Sequence, residues 1–309
     1  MLQQADHRND NLIVNVGGKL LGRRDGGVSP FDSVVQGGDA VWEGLRLYDG
    51  KIFKLDEHLD RMRDSARAIG FEMFGSVIPS HDTIIAQIRR TLEANEMRDG
   101  VHIRLTLTRG EKITSGMDPR LNQSGPTLIV LAEYKSPVYS KKGLTFVTSS
   151  VRRSPPDMLD PKIHHNNLLS SIMAKIEANV AGADSALMLD THGFIAEAHG
   201  SHVFFVRDGK VFTPTTDACP EGITRQTVIE LCQANEIPVG VRNVSLPEAC
   251  NADEMFCTGT MGEIAGVTIL DGRTIGPQTG DEPGGVGPIT VRISDLYIAE
   301  TARSGYKIV

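Results

Sequence analysis

The sequence is poor in cysteine. In 309 residues it has only Cys219, Cys232, Cys250 and Cys257, and no two of them form a CxxC pair. That spacing offers neither a zinc site nor a disulfide framework, so a reducing, cytoplasmic compartment is the expectation. Positive charge is also short: 32 Lys and Arg against 39 Asp and Glu leave a net charge of −7, with no basic stretch. Nucleic acid is therefore not expected as a partner. No apolar run approaches the roughly 18 residues of a membrane span, and the polar opening "MLQQADHRNDN" lacks the apolar centre of a signal peptide. GxGxxG, Walker, HExxH and GxSxG motifs are all missing, which removes several enzyme classes. No internal repeat or low-complexity block occurs. At 40% hydrophobic and 23% charged residues, the chain reads as globular, long enough for one large or two medium domains.

Strands and helices alternate irregularly, with many hairpins. "LIVNVGGKLLG" turns at Gly17-Gly18 and "AVWEGLRLYDGKIFKL" at Asp49-Gly50. "DEHLDRMRDSARAIG" reads as a helix capped by Asp56 and ended by Gly70, with Leu59, Met62, Ala66 and Ile69 on one face. Ser80 caps a second helix, and strands follow at "VHIRLTLT" and "TLIVLAEY". Residues 135–142, polar and containing Pro137, are the expected linker. They separate an N-terminal α/β domain, 1–134, from a C-terminal α+β domain, 143–309. The later half carries the strands "LTFVTSSV", "SALMLD" and "EMFCTG", hairpins at Asp208-Gly209 and Asp271-Gly272, and helices from "NNLLSSIMAKIEANVAG", "GITRQTVIELCQANEI" and "ITVRISDLYIAETARSG". The class is α+β with two lobes.

Singly, the polar residues at element ends are weak signals. Arg61 reads as a solvated helix arginine, Glu197 as a strand-end glutamate, and Thr224 as a helix-start threonine bonded to its own backbone. Together, "VWEGLRLYDGKIFKLDEHLDRM", "RLTLTRG", "VRRSPPDMLDP", "ALMLDTHGFIAEAHGSHVFFVRDGKVFTP", "EGITRQTVIELC" and "DEMFCTGTMGEIAGVTILDG" resemble the fold-type IV pyridoxal-phosphate enzymes. These include branched-chain and D-amino-acid aminotransferases, (R)-amine transaminases and aminodeoxychorismate lyase, and the resemblance spans nearly the whole chain. It implies a two-domain fold with a barrel-like C-terminal domain, the cofactor pyridoxal 5'-phosphate in the cleft between domains, a small-molecule substrate and a homodimer. It places Arg61, Ile223, Thr224, Thr260 and Met261 on the phosphate, where cations and helix-start N–H groups suit an anion. Glu197 falls on the pyridine nitrogen, keeping it protonated so that the ring draws electrons. Arg104 resembles the substrate-carboxylate position of branched-chain enzymes and Arg109 that of D-amino-acid enzymes. Their odd separation sends them to opposite faces of a regular strand, a constraint softened by the position of Arg109 near the strand end. Substrate choice therefore stays open.

The family's catalytic lysine supplies the Schiff-base amine and shuttles a proton. In "LDPKIHHNNLL" that position falls on His164 when (R)-amine transaminases are aligned forward through "VRRSPPDMLDP" or D-amino-acid enzymes backward from "LLSSIMAKIEA", and near Ile163 when branched-chain enzymes are anchored on the helix. Three accounts follow. In the first, Lys162 supplies the amine, two residues away on the same side of a strand and roughly 6.5 Å offset, and the chain is a transaminase of an amino acid or amine with a 2-oxo acid. In the second, the cofactor is held without a covalent bond or is not used, and His164 does acid/base work in a lyase or cofactor-independent enzyme. In the third, the protein binds a ligand without catalysis. No metal is expected, because adjacent strand residues such as His164 and His165 point apart and no third ligand is suitably spaced.

Overall fold

The computed structural model describes residues 5–137, 139, 142–277 and 284–309. The expected linker is thus only partly within the described residues, since 138, 140 and 141 lie outside them. In chain order come β1 (Ile13–Val16), β2 (Lys19–Gly22), α1 (Ser33–Gly37), β3 (Ala40–Tyr48), β4 (Lys51–Ile52), α2 (Leu55–Ala68), α3 (His81–Ala94), β5 (Val101–Thr108) and β6 (Thr127–Tyr134). Next are β7 (Leu144–Arg152), α4 (Pro156–Leu159), α5 (Leu169–Val180), β8 (Ser185–Leu189), β9 (Ile195–Ala198), β10 (His202–Arg207), β11 (Lys210–Thr213) and α6 (Ile223–Ala234). The chain ends with β12 (Val239–Val241), α7 (Leu246–Cys250), β13 (Glu254–Gly259), β14 (Glu263–Leu270), β15 (Arg273–Thr274), α8 (Pro288–Arg303) and β16 (Tyr306–Lys307). This is the α+β class expected from the sequence.

The chain divides into two compact units. The first holds the residues through Ser136, together with Ile163–Asn167 and Thr301–Val309; the second holds Pro137–Lys162 and Leu168–Glu300. In the first, one sheet runs β16-β4-β3-β5-β6-β1-β2. Its hairpins turn where the sequence places them, at Gly17-Gly18 (φ 57 and 83) and Asp49-Gly50 (φ 44 and 74), the left-handed pair that a two-residue turn needs. Val41, Leu45 and Leu47 of β3 pack with Leu59, Met62 and Ala66 of α2 and Ile84, Ile88 and Leu92 of α3. Asp56 is not the cap of α2, a correction to the sequence reading. The helix begins one residue earlier at Leu55, Lys54 is the N-cap, and Asp56 lies in the first turn, where its charge still suits the helix dipole.

Strand β3 is covered on one side by β5 along its length, but on the other β4 reaches only Leu47 and Tyr48. Ile163–Asn167 fills the vacant edge. Trp42 N donates to His164 O at 3.0 Å, Asn166 N donates to Ala40 O at 2.9 Å, and Val41 bridges His165. A free edge of N–H and C=O groups is satisfied from far along the chain, and this is what fixes His164 in the first unit.

The second unit's sheet runs β12-β11-β10-β13-β14-β7-β8-β9, with β15 on β14. Its core joins Leu144, Phe146, Leu187, Ile195, Val203, Phe205, Met255 and Val267. Glu254, at the start of β13, is 5% exposed and caps α8, accepting from Ile289 N at 3.0 Å, Thr290 N at 2.8 Å and Thr290 Oγ1 at 2.7 Å. Gly287 has to be glycine here, because its Cβ would stand 2.0 Å from the Glu254 carboxyl carbon. Glu254→Ala orphans three donors at once, and urea unfolding should show a loss of about 2–3 kcal/mol. Among the described residues no helix is long and apolar enough to cross a membrane.

Candidate active site

In the second unit three elements meet at one imidazole. His202 opens β10 and pairs with Thr258 of β13. Its Nε2 donates to the Pro220 carbonyl at 2.8 Å and stands 4.0 Å from Oε2 of Glu197, at the end of β9. Its ring lies against Gly222, where a Cβ would come within 2.3 Å of Cε1. Gly222 is the N-cap of α6 and has no side chain to bond the helix's first N–H groups. Ile223 and the buried Thr224 thus begin a helix whose positive end is left for an anion. Thr258 Oγ1 is buried and has no hydrogen-bond partner among the described residues, and the turn at Thr260 and Met261 follows directly. That turn is pressed so closely on Tyr139 that a Cβ on Gly262 would meet its ring at 2.4 Å.

Glu197 is 4% exposed and ion-paired with Arg153. A buried carboxylate with two oxygens can serve one cation and still hold a protonated ring nitrogen. Burial pushes the Cys219 thiol up and Glu197 adds to this, while Arg225, Arg153 and Lys162 pull it down. The strand argument for Lys162 is corrected: residues 161–163 form a turn and bend, with Lys162 N donating to the Asp160 carboxylate at 2.9 Å, so no strand sets its direction. His199 bonds Ser185 Oγ at 2.8 Å and is a structural contact.

The first unit holds a second constellation. Glu43 of β3 is fully buried. Its Oε1 accepts from Arg61 Nε at 2.7 Å, and its Oε2 accepts from Arg61 Nη2 at 2.8 Å and lies 2.7 Å from His58 Nδ1. Burial opposes ionisation, but the guanidinium overrides it and holds the Glu43 carboxyl well below the usual range. Arg61 is therefore clamped at both ends of a bidentate pair. His164 joins the same group. Its Nδ1 is 2.6 Å from the Trp42 carbonyl and 3.3 Å from Glu43 Oε1, its ring stacks on the Trp42 indole at 4.2 Å, and its N–H donates to Ser65 Oγ at 3.0 Å. Burial pushes its imidazole below the ordinary value and Arg61 adds to that, against the pull of Glu43 and the carbonyl.

The two candidate substrate arginines differ. Arg109, just past β5, is 5% exposed. Its Nε and Nη2 bond the Asp39 carboxylate at 2.6 and 3.1 Å, and Nη2 and Nη1 bond the carbonyls of Ile69 and Gly70 at 2.7 and 3.1 Å. Arg104 lies over the Trp42 ring at 4.0 Å and donates to Asn166 Oδ1 at 3.1 Å. Glu43, Trp42, Arg153 and His202 were not singled out as site residues from the sequence. The signal for Glu43 is a carboxylate flanked by apolar residues within a strand, which must find a buried partner.

Burial lowers the pKa of His199 to about 4, and it also lowers those of His164 and His102. These rings are neutral when folded, whereas the unfolded chain takes up protons near pH 6.5. Acid therefore favours unfolding. Stability is fully present above pH 6.5 and falls as pH drops toward 4, by about 3 kcal/mol for His199 alone. Urea melts at pH 7.5, 6 and 5 should show this decline, shallower in His199→Gln.

The amino-transferase class IV family profile matches residues 40–270. The branched-chain-amino-acid aminotransferase-like protein 2 of Arabidopsis thaliana is 50% identical over 301 residues, 97% of this chain and 52% of that protein. The chain thus spans about half the length of such relatives. It is 37% identical to the putative branched-chain-amino-acid aminotransferase of Methanocaldococcus jannaschii, over 96% of this chain and 99% of that one. The holo-form structure, with pyridoxal phosphate, of the branched-chain amino acid aminotransferase from Thermobaculum terrenum superposes with a TM-score of 0.82 at 27% identity, covering 96% of each chain.

Proposed function

We propose, on the premise that the chain belongs to the amino-transferase class IV family, that it is a pyridoxal-phosphate-dependent aminotransferase acting on an amino acid or amine with a 2-oxo acid. The observation that carries this reading is the meeting at His202 of the Glu197 carboxylate, the uncapped start of α6 and the strand leading to Thr260. The residues fit the cofactor. The Thr258 hydroxyl, without a partner among the described residues, and the bare helix start suit a phosphate, and a buried carboxylate in the same unit suits a pyridinium nitrogen. When bound, the group supplies an aldehyde for an amine and a ring that draws electrons from the substrate carbon. In this reading Ile223, Thr224, Thr260 and Met261 hold the phosphate, while Arg61 stays on Glu43 in the first unit. Glu197, kept in place by Arg153, holds the proton on the ring nitrogen. Lys162 supplies the amine. Arg104 takes the substrate carboxylate in preference to Arg109, because Asp39 and two carbonyls occupy Arg109.

A second reading is favoured by His164, whose ring is held at Nδ1 and at one face. In it the family's lysine role passes to an imidazole acid/base, in a lyase or an enzyme without a covalent cofactor bond. Borohydride reduction of the chain with pyridoxal phosphate, followed by peptide mapping, separates the two. Label on Lys162 supports the aminotransferase. Saturable cofactor absorbance with no label supports the second reading with a non-covalent cofactor, and no binding at all contradicts the aminotransferase and leaves only the cofactor-independent form of the second.

The same reading makes the protein a cytoplasmic homodimer. Leu169, Ile172, Met173, Ile176 and Val180 form an apolar stripe on α5, each at least 52% exposed, a surface that soluble chains cover by association. Light scattering should give twice the chain mass, halved in Met173→Asp/Ile176→Asp.

A further inference from the structure

His164 is fixed almost everywhere except at one atom. Its carbonyl accepts from Trp42 N at 3.0 Å, its N–H donates to Ser65 Oγ at 3.0 Å, and its ring lies on Trp42. Its Nδ1 faces the Trp42 carbonyl at 2.6 Å. A carbonyl oxygen only accepts, so Nδ1 carries the hydrogen. In the neutral ring Nε2 is then the lone-pair nitrogen, and no hydrogen bond to it occurs among the described residues. Behind Nδ1, at 3.3 Å, stands Oε1 of a carboxylate that is fully buried and ionised.

We propose that Glu43 and the Trp42 carbonyl make Nε2 of His164 a proton-accepting atom, with Glu43 as its positioning residue. The carbonyl sets the tautomer. The Nε2–H bond forms as the donor's bond to hydrogen breaks, the bonding pair stays on the donor atom, and the imidazolium that results faces the Glu43 charge. The arrangement repeats the logic of a histidine backed by a buried acid. The groups around the ring are Glu43 and Trp42 of β3, His58, Arg61 and Ser65 of α2, Arg104 of β5 over the indole, and His165 and Asn166 of its own segment. Glu43 favours the imidazolium and Arg61 opposes it, so the two set the base strength in opposite directions. The inference deepens the second functional reading, but its test does not depend on cofactor binding.

The test is nitrogen-15 NMR of the histidine-labelled full chain, with no cofactor added, titrated from pH 8 to 4. His164 should show a protonated Nδ1 and an unprotonated Nε2 at pH 7.5. Glu43→Gln should weaken proton uptake at His164 at least tenfold, and Arg61→Gln should strengthen it. Hydrogen on Nε2 in the unmodified protein at pH 7.5 overturns the proposal, even if neither variant folds. So does a titration midpoint that Glu43→Gln leaves within a factor of two. Failure to bind pyridoxal phosphate would sink the aminotransferase reading and leave this result untouched.

Discussion

Glu43→Ala should cost about 3–5 kcal/mol of stability, because it leaves the Arg61 guanidinium without its bidentate partner in a mostly buried place. Arg61 is 17% exposed at its side chain, His58 is 3% and Glu43 is 0%. The charge of Arg61 cannot be rehydrated there without opening the packing of α2 on β3. The pair is coupled, so Glu43→Ala/Arg61→Ala should lose less than the sum of the two single variants, by at least 1 kcal/mol in urea melts. A Glu43→Ala variant within 1 kcal/mol of the parent protein would mean that Arg61 finds water or another anion with ease, and the rigid frame around His164 would go with it.

Gly110→Ala should be at least as severe, with a loss on the order of 4 kcal/mol or more and a collapse in soluble yield. Gly110 has φ +101, and its Cβ would stand 1.8 Å from the Gly125 carbonyl oxygen. Its own carbonyl accepts from Ser33 N at 3.0 Å and Asn122 Nδ2 at 2.6 Å, so the backbone cannot retreat without breaking buried bonds. The contact is with backbone on both sides, which leaves no flexible side chain to yield. A Gly110→Ala variant that melts within 1 kcal/mol of the parent contradicts this placement. The physical need for glycine in the "TRG" stretch is thus the approach of Gly125, and Arg109 beside it is a structural tie between Asp39 and the chain at Ile69 and Gly70.

Local chemistry made much of the fold legible. Gly17-Gly18 and Asp49-Gly50 announce their turns because few other residues adopt both left-handed conformations. Ser80 announces α3 because its hydroxyl accepts from Thr83 N. The resemblance supplied the family and the fold, which periodicity alone does not. Long-range pairing was not readable. Nothing near "KIHHNN" says that it will complete the open edge of β3, more than a hundred residues earlier, and that pairing decides where His164 stands. The strand expected at Lys162 is absent because Asp160 and Pro161 start a turn there. Glu43 passed unnoticed because a buried acid is recognised by its partners, Arg61 and His58, which sit a helix away. His202 matters through contacts with Gly222 and Glu197 that no spacing rule encodes.

The central claim is that the second unit carries a seat for a phosphorylated pyridine ring at Glu197 and the start of α6. Titration calorimetry with pyridoxamine 5'-phosphate tests it most directly, since that ligand needs no lysine. The account predicts one saturable site per chain, weakened at least tenfold by Glu197→Gln. No saturable heat at millimolar ligand, or binding that Glu197→Gln leaves unchanged, would contradict it.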